Sequence, residues 1–101
     1  MASLSRMKLS KFLNEICPNT YFQPPPTVRL KYPCFVYRKT KLETVNADNA
    51  PYILHTRYTV TYIDHNPDSG IPEMLAMASG FTHEGQITKD NLYQDTFSVI
   101  I

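Results

Sequence analysis

The stretch Tyr52-Ile53-Leu54-His55-Thr56-Arg57-Tyr58-Thr59-Val60-Thr61-Tyr62-Ile63-Asp64 decides the fold. Its even positions Tyr52, Leu54, Tyr58, Val60 and Tyr62 are apolar, whereas His55, Arg57, Thr59 and Thr61 are polar. Alternation with period two puts one set on each face of a pleated chain, so a long half-buried strand is expected from Tyr52 to Asp64. The residues that follow, Asp64-His65-Asn66-Pro67-Asp68-Ser69-Gly70, are dense in turn formers, and Pro72 then sits where a first helical turn tolerates it. This predicts a second helix of about two turns. It carries Met74, Leu75, Met77 and Ala78 and stops at Gly80, the residue type that most cheaply adopts the left-handed C-terminal conformation.

Upstream, Lys41 to Asn49 is polar and holds Asn46, Asp48 and Asn49, which reads as an exposed loop between strands. Before it, Tyr32-Pro33-Cys34-Phe35-Val36-Tyr37 is aromatic and β-branched and reads as the first strand, with Pro33 at its start or facing an open edge. Residues 4–16 place Leu9, Phe12, Leu13 and Ile16 at spacings of three and four, with Lys8, Lys11 and Glu15 on other faces. An amphipathic helix follows from that spacing, and Pro18 ends it. A proline-rich connector, residues 18–27 with Pro24-Pro25-Pro26, then acts as a semi-rigid spacer; it lacks the basic flanks of an SH3 ligand. At the other end Tyr93, Asp95, Phe97, Val99 and Ile101 alternate with Gln94, Thr96, Ser98 and Ile100, a closing strand. The order α, β, β, α, β predicts an α+β fold: a small, mainly antiparallel sheet with the N-terminal helix and the short second helix packed on one face. Residues 1–101 form a single domain, with sheet and second helix over 30–101.

The charge balance leaves few partners to electrostatics alone. Ten Lys plus Arg against nine Asp plus Glu in 101 residues give a net +1, too little to gather nucleic acid or an anionic membrane. Apolar runs are only a few residues, where about 18 are needed to span a bilayer. The basic N-terminus lacks an apolar signal core, since Ser10, Lys11 and Asn14 interrupt it, so secretion is not indicated. Cys17 and Cys34 have no CxxC spacing and read as two buried thiols.

A search for chemistry returns little. Ala78-Ser79-Gly80 is not a nucleophile elbow, and three glycines cannot furnish a phosphate loop. His55, His65 and His83 are far apart and read as scattered surface histidines. Asp64, Asn66 and Asp68 match the first three oxygen ligands of an EF-hand, but Ser69 stands where glycine is needed and Leu75 where the bidentate Glu belongs, so a turn is the better reading. Tyr58 and Tyr62 with Arg38, Lys39, Lys41 and Arg57 suggest a base-stacking sheet, yet both tyrosines fall on the apolar face and are better spent on packing. No cofactor, metal or catalytic set is expected.

Three segments carry a family resemblance. They are Tyr32-Pro33-Cys34-Phe35-Val36-Tyr37; Ala47-Asp48-Asn49-Ala50-Pro51-Tyr52; and Arg57-Tyr58-Thr59-Val60-Thr61-Tyr62-Ile63-Asp64 running into Asn66-Pro67-Asp68-Ser69 and Ile71-Pro72. With Asp90-Asn91-Leu92-Tyr93, Asp95 and Phe97, this chain resembles the tail terminator or tail completion proteins of long-tailed phages over about residues 32–101. The N-terminal prolines have no assigned counterpart, and Phe81-Thr82-His83-Glu84-Gly85-Gln86 departs from the family pattern. The resemblance implies a virion protein, assembled in the host cytoplasm, that forms a ring, commonly a hexamer, on the head-proximal end of the finished tail tube. Its partners would be further copies of itself, the tube protein and the neck or head-closure protein, with neither membrane nor specific nucleic acid.

On that reading Lys41, Glu43 and Asp48 in the first loop, and Arg57, Asp64, Asn66 and Asp68 around the second turn, are candidate assembly contacts, because exposed polar segments between strands carry surface function. Substituting Arg57, Asp64 and Asp68 is expected to impair docking and spare folding. The competing reading makes them solvated loop residues, with Asp68 or Ser69 simply starting the second helix. The alternatives to a tail terminator are a neck or head-closure ring protein and a small nucleic-acid-binding module.

Overall fold

The computed structural model describes residues 4–47, 50–78 and 80–100, and side-chain surroundings for 6–42, 56–78 and 80–100. In chain order the elements are α1 (Leu4–Ile16), β1 (Thr20–Phe22), β2 (Cys34–Ala47), β3 (Ala50–Asp64), α2 (Ile71–Ala76), β4 (Phe81–Lys89) and β5 (Leu92–Ile100). The strands form one sheet in the order β1-β2-β3-β5-β4, antiparallel except for the β1–β2 pair. The α+β architecture expected from the sequence is therefore the one observed.

The alternation that defined the long strand also builds the core. Tyr58, Val60 and Tyr62 on β3 are buried beside Phe35 and Tyr37 on β2 and Phe97 and Val99 on β5. Leu9, Leu13 and Cys17 from α1 and Leu75 from α2 close over this face. The aromatic rings meet at tilted and edge-on angles, Phe35 with Tyr62 at 5.2 Å and Tyr37 with Tyr58 at 6.2 Å, the arrangement favoured by ring quadrupoles. Both thiols are buried and free, as expected; the Cys17 thiol donates to the Pro33 carbonyl at 3.2 Å. Burial, and secondarily the neighbouring Cys17, pushes the Cys34 thiol from 9.0 up to about 12.

Several boundaries differ from the expectation. The segment 41–49 is not a loop up to Ala47: β2 runs through it, paired with β3 from Cys34↔Ile63 to Ala47↔Ala50, with irregularities between Lys39 and Lys41 and between Glu43 and Thr44. Backbone pairing with β3 outweighed the low strand propensity of the polar residues. The connector also contains an element. Thr20–Phe22 pairs in parallel with Phe35–Tyr37, and then Gln23, at φ 42°, turns the chain away while its side-chain oxygen accepts the Lys39 amide. A three-residue strand is too short for alternation to reveal.

The second helix is shorter than expected. It ends at Ala76 with Met77 as cap, and only Leu75 is buried; Met74 is half-exposed and Met77 is 87% exposed. Gly80, at φ 86°, belongs to the turn into β4, where an added Cβ would lie 3.1 Å from the Ile100 carbonyl oxygen. The strand β4 was not anticipated. It pairs with β5 through a two-residue turn at Asp90 and Asn91, both with φ near +55–60°, the backbone that matches strand twist in a tight hairpin. This makes β5 a central strand, flanked by β3 and β4.

Candidate functional site

The turn after β3 is built by its own polar side chains. Asp64 accepts the Tyr62 hydroxyl at 2.7 Å and the Asn66 amide at 3.2 Å; Asn66 accepts the Asp68 amide at 3.0 Å. Ser69 accepts the Ile71 amide at 3.3 Å, satisfying an amide at the start of α2, whose N-cap Gly70 has no side chain to do so. Burial, reinforced by the hydrogen bond to Asp64, raises the Tyr62 phenol above its ordinary 10.0. Asp64 and Asn66 are thus turn-forming residues, and Asp64 is not the fold-neutral contact that the sequence suggested. Asp68 is exposed and contributes its backbone amide to the turn. The EF-hand-like run is accounted for by these turns, and among the described residues no group of His, Cys, Asp and Glu could hold a metal ion.

The other expected contacts lie on the sheet. Lys41 pairs with Arg57 across β2 and β3, and Glu43 pairs with His55; the side chains of Glu43 and His55, and Asp48 altogether, lie outside the described residues. Because Tyr58 faces the helices, Arg57 and Thr59 face the other way, onto the side of the sheet that neither helix covers. Arg57 Nη1 reaches the Ser98 hydroxyl at 3.5 Å, and the Thr40 and Thr59 hydroxyls meet at 2.6 Å. Arg38, opposite Thr59, and Lys41 complete a basic, hydroxyl-rich patch on this face. The structure brings Lys41 and Arg57 together, and sets Asp64, Asn66 and Asp68 apart from them at the far end of β3.

A further polar cluster was missed in the sequence. Asp95 is 5% exposed and sits on the helix-covered face in register with Tyr62 and Gln86. One carboxylate oxygen lies 3.0 Å from His83 Nε2, and the Gln86 amide donates to both oxygens at 3.2 and 3.3 Å. His83 stacks edge-on against Phe97 at 5.0 Å; it is an exposed histidine, as expected, that is also held as a partner of Asp95. Pro72, Glu73 and Ala76 of α2 wall a pocket of about 250 Å³ over this pair. The readable signal was an acidic residue within the apolar set Tyr93, Phe97, Val99. With both carboxylate oxygens engaged, the arrangement ties β4 to β5 across the irregularity between His83 and Gly85.

Tyr58 and Tyr62, 0% and 1% exposed, are spent on core packing, as their place on the apolar face suggested. Among the described residues no helix is long and apolar enough to cross a membrane. No family model matches the chain, and no curated protein matches it.

Proposed function

We propose that this protein is a structural subunit of a phage virion that forms a ring, hexameric by the family resemblance, on the finished tail tube: a tail terminator. The observation that carries the reading is the grouping of the resembling stretches. Tyr32 to Tyr37 opens β2, Arg57 to Asp64 is the half of β3 paired with it, and Asn66 to Pro72 is the turn that leads into α2. These three adjoin one another in the fold; of the other resembling stretches, Ala50–Tyr52 lies at the opposite end of the β2–β3 pair and Leu92–Phe97 lies in β5, while the departing stretch Phe81 to Gln86 lies in the edge strand β4. A rigid body with a polar, uncovered sheet face fits a subunit whose work is done by surfaces. In this role it stops tube polymerisation and offers its other side to the neck or head-closure protein.

The test is electron microscopy of lysates from a phage carrying an early stop codon in this reading frame. Unattached tails, some overlong, beside DNA-filled heads support the proposal. Normal-length tails beside emptied heads move the protein to the head side of the joint, and intact virions overturn the reading.

A further inference from the structure

We propose that this chain assembles head to tail by strand addition, the free edge of its distal β2 segment (Thr44–Ala47) pairing with the free edge of β4 (Gln86–Lys89) in a second copy. The inference rests on the ring-subunit reading and names the surfaces that would build the ring.

The first observation is a ribbon without a third strand. Residues 57–63 of β3 lie between β2 and β5, whereas 50–56 lie beside β2 alone. The resulting two-stranded arm is about 23 Å long at the usual rise per residue. It contributes to a radius of gyration of 14.8 Å and a long axis of 52 Å, where a compact chain of this length has a radius near 13 Å. An isolated two-stranded ribbon is marginal in water and gains stability from a third strand.

The second observation is that the chain carries two open edges on opposite sides of one sheet. The outer edge of β2 is covered by β1 at Phe35–Tyr37 and by the Gln23 side chain at Lys39, and no described strand covers it beyond. The outer edge of β4 is the other end of the sheet. Beyond the last irregularity of each strand, between Glu43 and Thr44 in β2 and between His83 and Gly85 in β4, the pairing is regular, and Thr44–Ala47 and Gln86–Lys89 lie in these regular segments. Edges that must stay single are guarded by charge, proline or bulges. Gln86–Lys89 carries only a terminal Lys89, and its Ile87 is 59% exposed.

The third observation is the setting of the receiving edge. The strand β4 contacts α2, whose Met74 and Met77 are exposed large apolar side chains. Methionines adapt their shape to an incoming surface. The donor edge and the acceptor edge are different surfaces on opposite sides of one sheet. The contact is therefore heterologous, and repeating it generates a ring if the rotation closes.

The test is light scattering on the full chain and two variants. One replaces residues 44–53 with Asn-Gly and keeps the β4 edge; the other, Ile87→Lys, keeps the arm and guards the edge. The wild type is expected at a multiple of its 11.6 kDa monomer mass, and each variant alone at the monomer mass with its cooperative thermal unfolding retained. An equimolar mixture of the two variants restores the missing pairing once and gives a 1:1 dimer of twice the monomer mass. The inference is overturned if the wild type stays monomeric at its highest soluble concentration, if the shortened-arm chain assembles like the wild type, or if the folded variants do not combine. Assembly that ignores the arm removes this interface and leaves the ring proposal standing, whereas intact virions from the stop-codon phage remove the ring proposal itself. Should Ile87→Lys unfold, Thr88→Lys on the same exposed edge replaces it.

Discussion

The two strands β2 and β3 run the full length of the molecule, yet their two halves are held by different physics. Between Cys34–Lys39 and Arg57–Asp64 the pair is a floor for the helices: Phe35, Tyr37, Tyr58, Val60 and Tyr62 are buried, and β5 pairs on the far side. Between Lys41–Ala47 and Ala50–Thr56 the same strands are joined only to each other. Backbone hydrogen bonds alone contribute little net stability, because water supplies equivalent bonds in the unfolded chain. The near half therefore specifies the fold, and the far half is the part proposed to pair with a second copy.

The strongest way to break this contrast is to damage the near half. Phe97→Ala removes a fully buried core ring that packs against Phe81 and His83, and should cost about 3–5 kcal/mol in chemical denaturation. Gly80→Ala should cost about 1–2 kcal/mol, since it combines a positive φ with a Cβ pressed on the Ile100 carbonyl. Tyr62→Phe should lose about 1–2 kcal/mol by removing the hydroxyl that anchors Asp64. Substitution of Asp64 should destabilise the turn likewise, and Asp68→Ala should not. At the far end of the scale, Thr44→Ala is expected within about 0.5 kcal/mol of wild type, because Thr44 lies where β2 and β3 pair without β5.

Alkaline pH sharpens the same comparison. The unfolded Cys34 thiol ionises from about 9.0, whereas burial holds the folded one up to about 12, so the unfolded state releases its proton first. Stability is full below pH 9 and falls as pH rises from 9 towards 12, and the raised Tyr62 phenol acts in the same direction. The thermal midpoint measured across that range should fall, with a shallower slope in Cys34→Ala.

What was legible in the sequence follows the same division. Alternation through Tyr58, Val60 and Tyr62 and helical spacing through Leu9 and Leu13 report burial, so the sheet floor and α1 could be read directly. Elements without a burial signature could not. The arm strand through Lys41–Ala47 has a polar sequence, β1 is three residues long, and β4 is exposed at most positions, so each exists because a neighbouring strand supplies its hydrogen bonds. The site shows the same limit. Asp64, Asn66 and Asp68 were readable as turn formers by type, but the bond from Tyr62 to Asp64 joins groups whose pairing sequence spacing does not announce. Asp95 was visible as an acid in an apolar set, and its partners His83 and Gln86 arrive only through a strand that the sequence concealed.

Amide hydrogen exchange at increasing protein concentration tests the division most directly. In dilute solution the amides of Phe35–Tyr37 and Tyr58–Tyr62 should be slow and those of Thr44–Ala47 and Gln86–Lys89 fast, with the last two segments gaining protection together as concentration rises. An arm as protected as the floor at every concentration, or an arm that gains protection without Gln86–Lys89, would contradict the account.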